Sequence, residues 1–111
     1  MTIYKILPRK MWEAAVAAGV FNGSAVDIAD GFIHFSTEAQ VRETAAKYFA
    51  GLPDLLVVAV PETALGGAIK WEPSRGGDLF PHLYGPLPVA TASWVKPVPI
   101  DADGRHLFPE L

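Results

Sequence analysis

The chain has 111 residues, of which 50% are hydrophobic and 19% are charged, so it is long enough for one domain with a buried core and is not a disordered protein. It contains no cysteine, which excludes disulfides, thiolate catalysis and cysteine-based zinc sites. The net charge is −3 and basic residues do not cluster, so double-stranded nucleic acid, which requires a basic patch, is not an expected partner.

No segment has the pattern of a targeting or membrane-spanning element. The first residues lack the charged start and long apolar run of a signal peptide, and no apolar run approaches about 18 residues. We therefore expect a cytoplasmic protein that forms a single domain over residues 1–111 and does not enter a membrane. The oligomeric state is left open.

The first third of the chain predicts a strand, a helix and a loop. Apolar residues on both sides of Lys5 predict a strand over residues 3–7. Apolar positions three and four residues apart predict a helix over residues 8–19, with Gly19 at its C-terminal end. Residues 20–30, which are rich in Gly, Ser and Asp, predict a loop.

The next predicted strand, residues 31–36, has two different faces. Alternation places Ile33 and Phe35 on the core face. The opposite face carries Phe32, His34 and Ser36. Such a half-polar face suits the wall of a cleft better than the interior of a sheet.

A helix over residues 38–50 follows this strand. Thr37 and Gln40 match a capping box at its start. The junction brings the N–H groups of a helix N-terminus close to His34.

The second half of the chain predicts three further strands. Residues 54–60 form a continuous apolar run that indicates a strand buried on both faces. Residues 68–72 alternate, and residues 89–96 predict an edge strand because Pro97 and Pro99 follow. The pattern as a whole indicates an α+β protein with about five or six strands and two main helices.

Residues 72–86 hold four side chains that can carry chemistry among three Gly and three Pro residues. Pro and Gly exclude a regular helix and a central strand, so the segment predicts an irregular loop that builds a site. The alternative is a surface crossover with solvated charges. The four side chains are Glu72, Arg75, His82 and Tyr84.

Several roles remain open for this loop. Glu72 either acts as a base or orients a sugar hydroxyl, and Arg75 can bind a phosphate or carboxylate through two hydrogen bonds. Gly76 and Gly77 allow the backbone to approach a ligand. His82 suits proton transfer. The alternatives are a local ion pair between Glu72 and Arg75 and an aromatic plug around His82.

Metal and nucleophile chemistry are not expected. Two histidines and a glutamate, His34, His82 and Glu72, lack the local spacing of metal ligands, so no metal is predicted. Ser36 is two residues from His34 on one strand face, so the two side chains are too far apart for a direct hydrogen bond. We interpret Ser36 as a hydroxyl that bonds the start of the following helix.

Four motifs together resemble a small bacterial family, domain of unknown function 952, over nearly the whole chain. They are Asp30-Gly-Phe-Ile-His-Phe-Ser-Thr37, Lys70-Trp-Glu72, Arg75-Gly-Gly77 and Phe80-Pro-His-Leu-Tyr-Gly-Pro86. The resemblance implies an ADP-ribosyltransferase-like fold, with a small split or strongly bent mixed sheet around a dinucleotide cleft.

The strand that carries His34 also loosely resembles the histidine-bearing strand of RNA 2′-phosphotransferases. By that resemblance His34 contacts a ribose or a phosphate, and Glu72 or Arg75 completes the site. The chain departs from the phosphotransferase pattern because Tyr4-Lys5-Ile6 stands where Tyr-His-Gly is expected, and because no set of four basic residues is evident.

The functional hypothesis is a cleft that binds NAD or a related ribosyl-phosphate compound, in a protein with transferase activity of the ADP-ribosyltransferase or phosphotransferase type. The expected catalytic residues are His34, Glu72 and His82. The expected ligand-binding residues are Phe32, Ser36, Arg75, Gly76, Gly77 and Tyr84. The alternatives are a non-catalytic module that binds a small anion and a purely structural protein.

Overall fold

The computed structural model describes residues 1–111, apart from the side chain of Arg75. The described chain forms eight strands, which are β1 (Thr2–Pro8), β2 (Val20–Phe21), β3 (Ile33–His34), β4 (Leu55–Pro61), β5 (Ile69–Pro73), β6 (Leu79–Leu83), β7 (Leu87–Pro88) and β8 (Trp94–Val98). Its helices are α1 (Arg9–Ala18), α2 (Ala25–Asp30) and α3 (Glu38–Tyr48), with short 3-10 segments at Glu62–Ala68, Arg75–Gly77 and Val89–Thr91.

The strands pair in three small antiparallel sheets, with the orders β1-β4-β8, β2-β7 and β3-β6-β5. The predicted α+β class and the split of the sheet into small parts are therefore confirmed, whereas the predicted mixed strand directions and the count of five or six strands are wrong. Parallel pairing needs a long crossover that returns to the same sheet. Here α1 and α3 each connect strands of different sheets.

The largest sheet divides the hydrophobic core into two layers. Strand β4 lies in its centre and is buried on both faces, as predicted. Because successive side chains point to opposite faces, Val58 and Val60 pack in one layer with Trp12 of α1, while Val57 packs in the other with Val41 of α3. The two long helices therefore cover opposite faces of this sheet.

The edge position predicted from Pro97 is confirmed, because β8 is the outer strand of this sheet. The strand begins at Trp94 instead of residue 89, however. The preceding residues Val89–Thr91 form a 3-10 turn that begins after Pro88. The predicted boundaries 89–96 are therefore shifted.

Helices α1 and α3 confirm the two predicted helices, and α2 lies in a segment that was predicted as a loop. Gly19 ends α1 with a φ of 82°, and the N–H of Thr37 donates to the side-chain oxygen of Gln40 at the start of α3. Residues 20–30, predicted as a loop, contain β2 and α2. The start of α2 has its own capping box, in which the N–H of Ser24 donates to Asp27 Oδ2 at 2.8 Å.

The prediction that residues 72–86 exclude a central strand is also wrong. Strand β6 lies between β3 and β5 and includes Pro81. The Pro81 carbonyl accepts from the N–H of Phe35, so the nitrogen of Pro81 faces the same side. Because proline has no N–H, residue 81 donates no bond back to Phe35, and β3 ends at His34.

None of the helices in the described residues is long and apolar enough to cross a membrane.

Candidate functional site

A cleft of about 570 Å³ is bordered by β1, α2, the segment from β3 to α3, and β6. Its polar border is formed by Lys5, Ser24, Asp27, Asp30, His34, Ser36, Thr44, Ser74 and His82. Much of the remaining border is apolar or aromatic and includes Tyr4, Met11, Val26, Phe49 and Phe80. The cleft thus combines a few polar groups with an apolar lining, which is typical of small-molecule sites.

The carboxylate of Asp27 is the centre of the polar network. It is 2% exposed and accepts from Lys5 Nζ at 3.2 Å and 3.1 Å, so that β1 is tied to α2. The backbone N–H groups of Ser24 and His34 donate to it at 2.8 Å and 3.1 Å. The Nδ1 atom of His34 lies 2.6 Å from Asp27 Oδ1.

These contacts determine the charge of the buried pair. Burial by itself raises the pKa of Asp27, but the hydrogen bond from His34 and the charge of Lys5 more than offset it and hold the pKa well below its usual range. Burial lowers the pKa of Lys5, and the contact with Asp27 opposes that effect.

The ring of His34 lies between two carboxylates. Nδ1 faces Asp27, and Nε2 lies 2.9 Å from Asp30 Oδ2. The Nδ1 contact is a hydrogen bond, whereas the Nε2 contact is an ion pair when the ring is charged. Each ring nitrogen of His34 therefore lies within ion-pair distance of a carboxylate.

His82 is held by a different carboxylate. Its Nδ1 atom lies 2.8 Å from Glu72 Oε1, and the Tyr84 hydroxyl donates to the same oxygen at 2.7 Å. The hydrogen bonds from Tyr84 and His82 lower the pKa of Glu72, and the bond to Glu72 raises the pKa of Tyr84. His82 is buried, while Tyr84 is exposed, so this chain of contacts runs from the sheet interior to the surface.

Strand register brings the two histidines together. His34 on β3 is paired with His82 on β6, and the ring centres are 5.6 Å apart. Phe32, two residues before His34, stacks on the His82 ring with a centre distance of 4.0 Å and an interplanar angle of 17°. The aromatic ring therefore limits the orientation of the imidazole.

The structure divides the predicted site residues into three groups. His34, Ser36 and His82 border the cleft. Five others are not among the described residues on its border, and these are Phe32, Glu72, Gly76, Gly77 and Tyr84. The side chain of Arg75 lies outside the part that the structure describes. The catalytic and ligand-binding roles assigned from the sequence stay predictions.

Ser36 does not bond the start of α3 as interpreted. Its Oγ atom contacts Thr44 Oγ1 at 3.0 Å, in the middle of the helix. The reason is a two-way backbone bridge with Tyr4, at 2.8 Å and 2.9 Å, which holds Ser36 against β1.

Three charged residues of the cleft were missed in the sequence. Lys5 was interpreted only as part of a strand, and Asp27 and Asp30 fell in the predicted loop. A signal for Asp27 was present, because Ser24 and Asp27 have the spacing of a capping box. The pairing of Asp27 with Lys5, 22 residues apart, has no local signal.

No group of three or more His, Asp or Glu side chains among the described residues is arranged to hold a metal ion.

Known proteins provide a family but no activity. The family described as "Protein of unknown function (DUF952)" matches residues 6–95. A crystal structure of protein CC0527 from Caulobacter crescentus is 52% identical over 96% of this chain and 94% of that chain, with a TM-score of 0.93. A solution NMR structure of CC0527 is 54% identical over 93% and 89% of the two chains, with a TM-score of 0.84.

None of the curated proteins matches the chain. The family match covers most of the sequence, and the fold is shared with CC0527 over nearly the full length of both chains. The chain therefore belongs to the DUF952 family of proteins of unknown function.

Proposed function

We propose that the cleft binds a ribosyl-phosphate compound of nucleotide size, such as NAD or ADP-ribose, and that His34 and His82 transfer protons in a transferase reaction of this ligand. The observation that carries the proposal is the pair of neighbouring imidazoles, whose ring centres are 5.6 Å apart, each with its Nδ1 atom against a carboxylate. Such carboxylates orient catalytic histidines and fix the position of their protons.

The two rings suit different roles. Both ring nitrogens of His34 lie against carboxylates, and His82 contacts one carboxylate through Nδ1. We assign the role of general acid to His34 and that of general base to His82. Glu72 then orients the ring of His82.

The size of the cleft supports a nucleotide-like ligand over a bare anion. Sites for small molecules typically enclose about 300–1,000 Å³, and this cleft has a volume of about 570 Å³. The apolar border offers surface to a sugar or a base, which a phosphate ion alone would not use. A module for small anions is therefore the second choice.

The same reasoning extends to the finer fold assignment. We propose that the chain has the ADP-ribosyltransferase-like fold, in which two small sheets flank a dinucleotide cleft. The separate sheets β1-β4-β8 and β3-β6-β5, both of which contribute strands to the border of the cleft, support this assignment.

Ligand binding is tested by thermal denaturation with NAD, ADP-ribose and ribose 5-phosphate. A ligand at 100 times its Kd should add roughly 2.7 kcal/mol of stability, which corresponds to roughly 10 to 20 °C for a domain of this size. If none of the three compounds raises the melting temperature, the proposed ligand class is wrong.

Catalysis is tested by the release of nicotinamide from NAD. Loss of a general acid or base should slow turnover by about 10²- to 10⁴-fold, so His34→Ala should lose activity by this factor. Glu72→Gln should also lower activity, because it removes the carboxylate that orients His82. His106→Asn, in the C-terminal segment and not on the cleft border, should retain activity. Binding of NAD without turnover, spared by His34→Ala and removed by Arg75→Ala, would instead support a non-catalytic module.

A further inference from the structure

We propose that the Nε2 atom of His34 is the binding point for an anionic oxygen of the ligand, and that the Asp30 carboxylate competes with the ligand for this point. The inference rests on the proposed function, because it names the ligand group that the cleft takes. The carboxylate then competes with the ligand, and each binding event replaces one anionic oxygen with another.

The two carboxylates on His34 are anchored very differently. Asp27 is 2% exposed and has donors from three segments of the chain. The side chain of Asp30 is 49% exposed, and its contact with His34 is the one hydrogen bond or ion pair that it makes among the described residues. Asp30 can therefore leave by rotating its side chain, whereas Asp27 cannot leave without disrupting the fold.

Asp30 contacts Nε2 at the border of the cleft. Both Asp30 and His34 border the cleft, and the contact joins residues four apart in sequence, at the end of α2 and in β3. A ligand atom that binds Nε2 from the cleft therefore competes with the Asp30 carboxylate for this nitrogen.

The local charge indicates what replaces Asp30. With His34 protonated, the positive charges of Lys5 and His34 balance the negative charges of Asp27 and Asp30. When Asp30 swings away, one positive charge remains uncompensated on the cleft wall. An anionic phosphate oxygen restores the balance and can accept a hydrogen bond from Nε2.

Removal of the competing carboxylate should therefore strengthen binding. A half-exposed ion pair favours the state in which Asp30 contacts His34 by a factor of about five. Removal of the ion pair should therefore lower the Kd for ribose 5-phosphate about fivefold. Asp30 is exposed at the end of a helix, and neither Asp30→Asn nor Asp30→Ala removes a core contact.

The experiment is a calorimetric titration of the unchanged chain, Asp30→Asn and Asp30→Ala with ribose 5-phosphate, inorganic phosphate and uncharged ribose. Asp103→Asn is the matched control, because it makes the same charge change in an exposed turn away from the cleft. We expect the fivefold gain for both phosphate compounds in both Asp30 variants, and no gain for ribose or in the control.

Two results would overturn the inference. An unchanged Kd in the Asp30 variants would show that the carboxylate does not compete, and a weaker Kd would show that Asp30 itself holds the ligand. Binding of ribose 5-phosphate by the unchanged chain tests the proposed ligand class separately. The ring ¹⁵N signal of His34 Nε2 gives a second measurement, since it must move in ligand-free Asp30→Asn if the contact exists in solution.

Discussion

Replacement of Asp27 by Asn should be among the most destabilising single polar substitutions in this chain. The variant leaves the ammonium group of Lys5, whose side chain is 8% exposed, without a counter-charge. It also turns an amide NH₂ group toward one of the N–H donors of Ser24 or His34, because Asn has a single side-chain oxygen. Breaking a buried ion pair in this way costs about 3–5 kcal/mol.

Urea denaturation measures this cost. With a urea dependence of about 2 kcal/mol per molar, the midpoint should fall by about 2 M. The matched control is Asp54→Asn, which removes the ion pair with Arg9. That pair is shorter, with 2.7 Å between Arg9 Nε and Asp54 Oδ1, but its side chains are 41% and 59% exposed. Asn also tolerates the positive φ of residue 54.

The control and a double variant decide the interpretation. If burial determines the cost, Asp54→Asn leaves the midpoint within error despite the shorter distance, and Lys5→Met in the Asp27→Asn background restores part of the stability by removing the stranded charge. A midpoint that falls as far in Asp54→Asn as in Asp27→Asn, or a double variant that is less stable than Asp27→Asn, would refute the reasoning.

Three further predictions follow from the same structure. Folding lowers the pKa of Asp27, so the stabilising contribution of this carboxylate is complete above about pH 4 and is lost as the pH falls further. On acidification, the urea midpoint of the unchanged chain should therefore fall more steeply than that of Asp27→Asn. Glu72→Gln should lower the pKa of Tyr84, measured by phenolate absorbance with Tyr84→Phe to assign the signal, and an unchanged titration would contradict the contact. Gly19→Ala should cost about 1 kcal/mol in urea denaturation because residue 19 has a positive φ, whereas Gly67→Ala, at a residue without a positive φ, should cost less.

The large elements could be predicted from the sequence because each leaves a local periodic signal. Each signal spans only residues that are neighbours in sequence. The signals are the apolar run of β4, the apolar spacing of α1 and the capping box of α3. Strands β2 and β7 have two residues each, which is too short for alternation to be visible. Their positions depend on partners far along the chain.

The site could be predicted in part for the same reason. His34 and His82 were recognised from their surroundings, but their direct pairing depends on the register between β3 and β6. That register required a strand through Pro81, which local rules argue against. Lys5 gave no signal at all, since its partner Asp27 is contributed by another part of the fold.

The position of Asp27 governs how this part of the protein opens to solvent. One carboxylate receives the backbone N–H of Ser24 and that of His34, so neither amide proton can exchange with water until the carboxylate moves away. One opening event releases both, and the two amides should therefore exchange with the same opening free energy. We therefore expect the helix cap, the backbone of His34 and the buried lysine to open together as one cooperative unit.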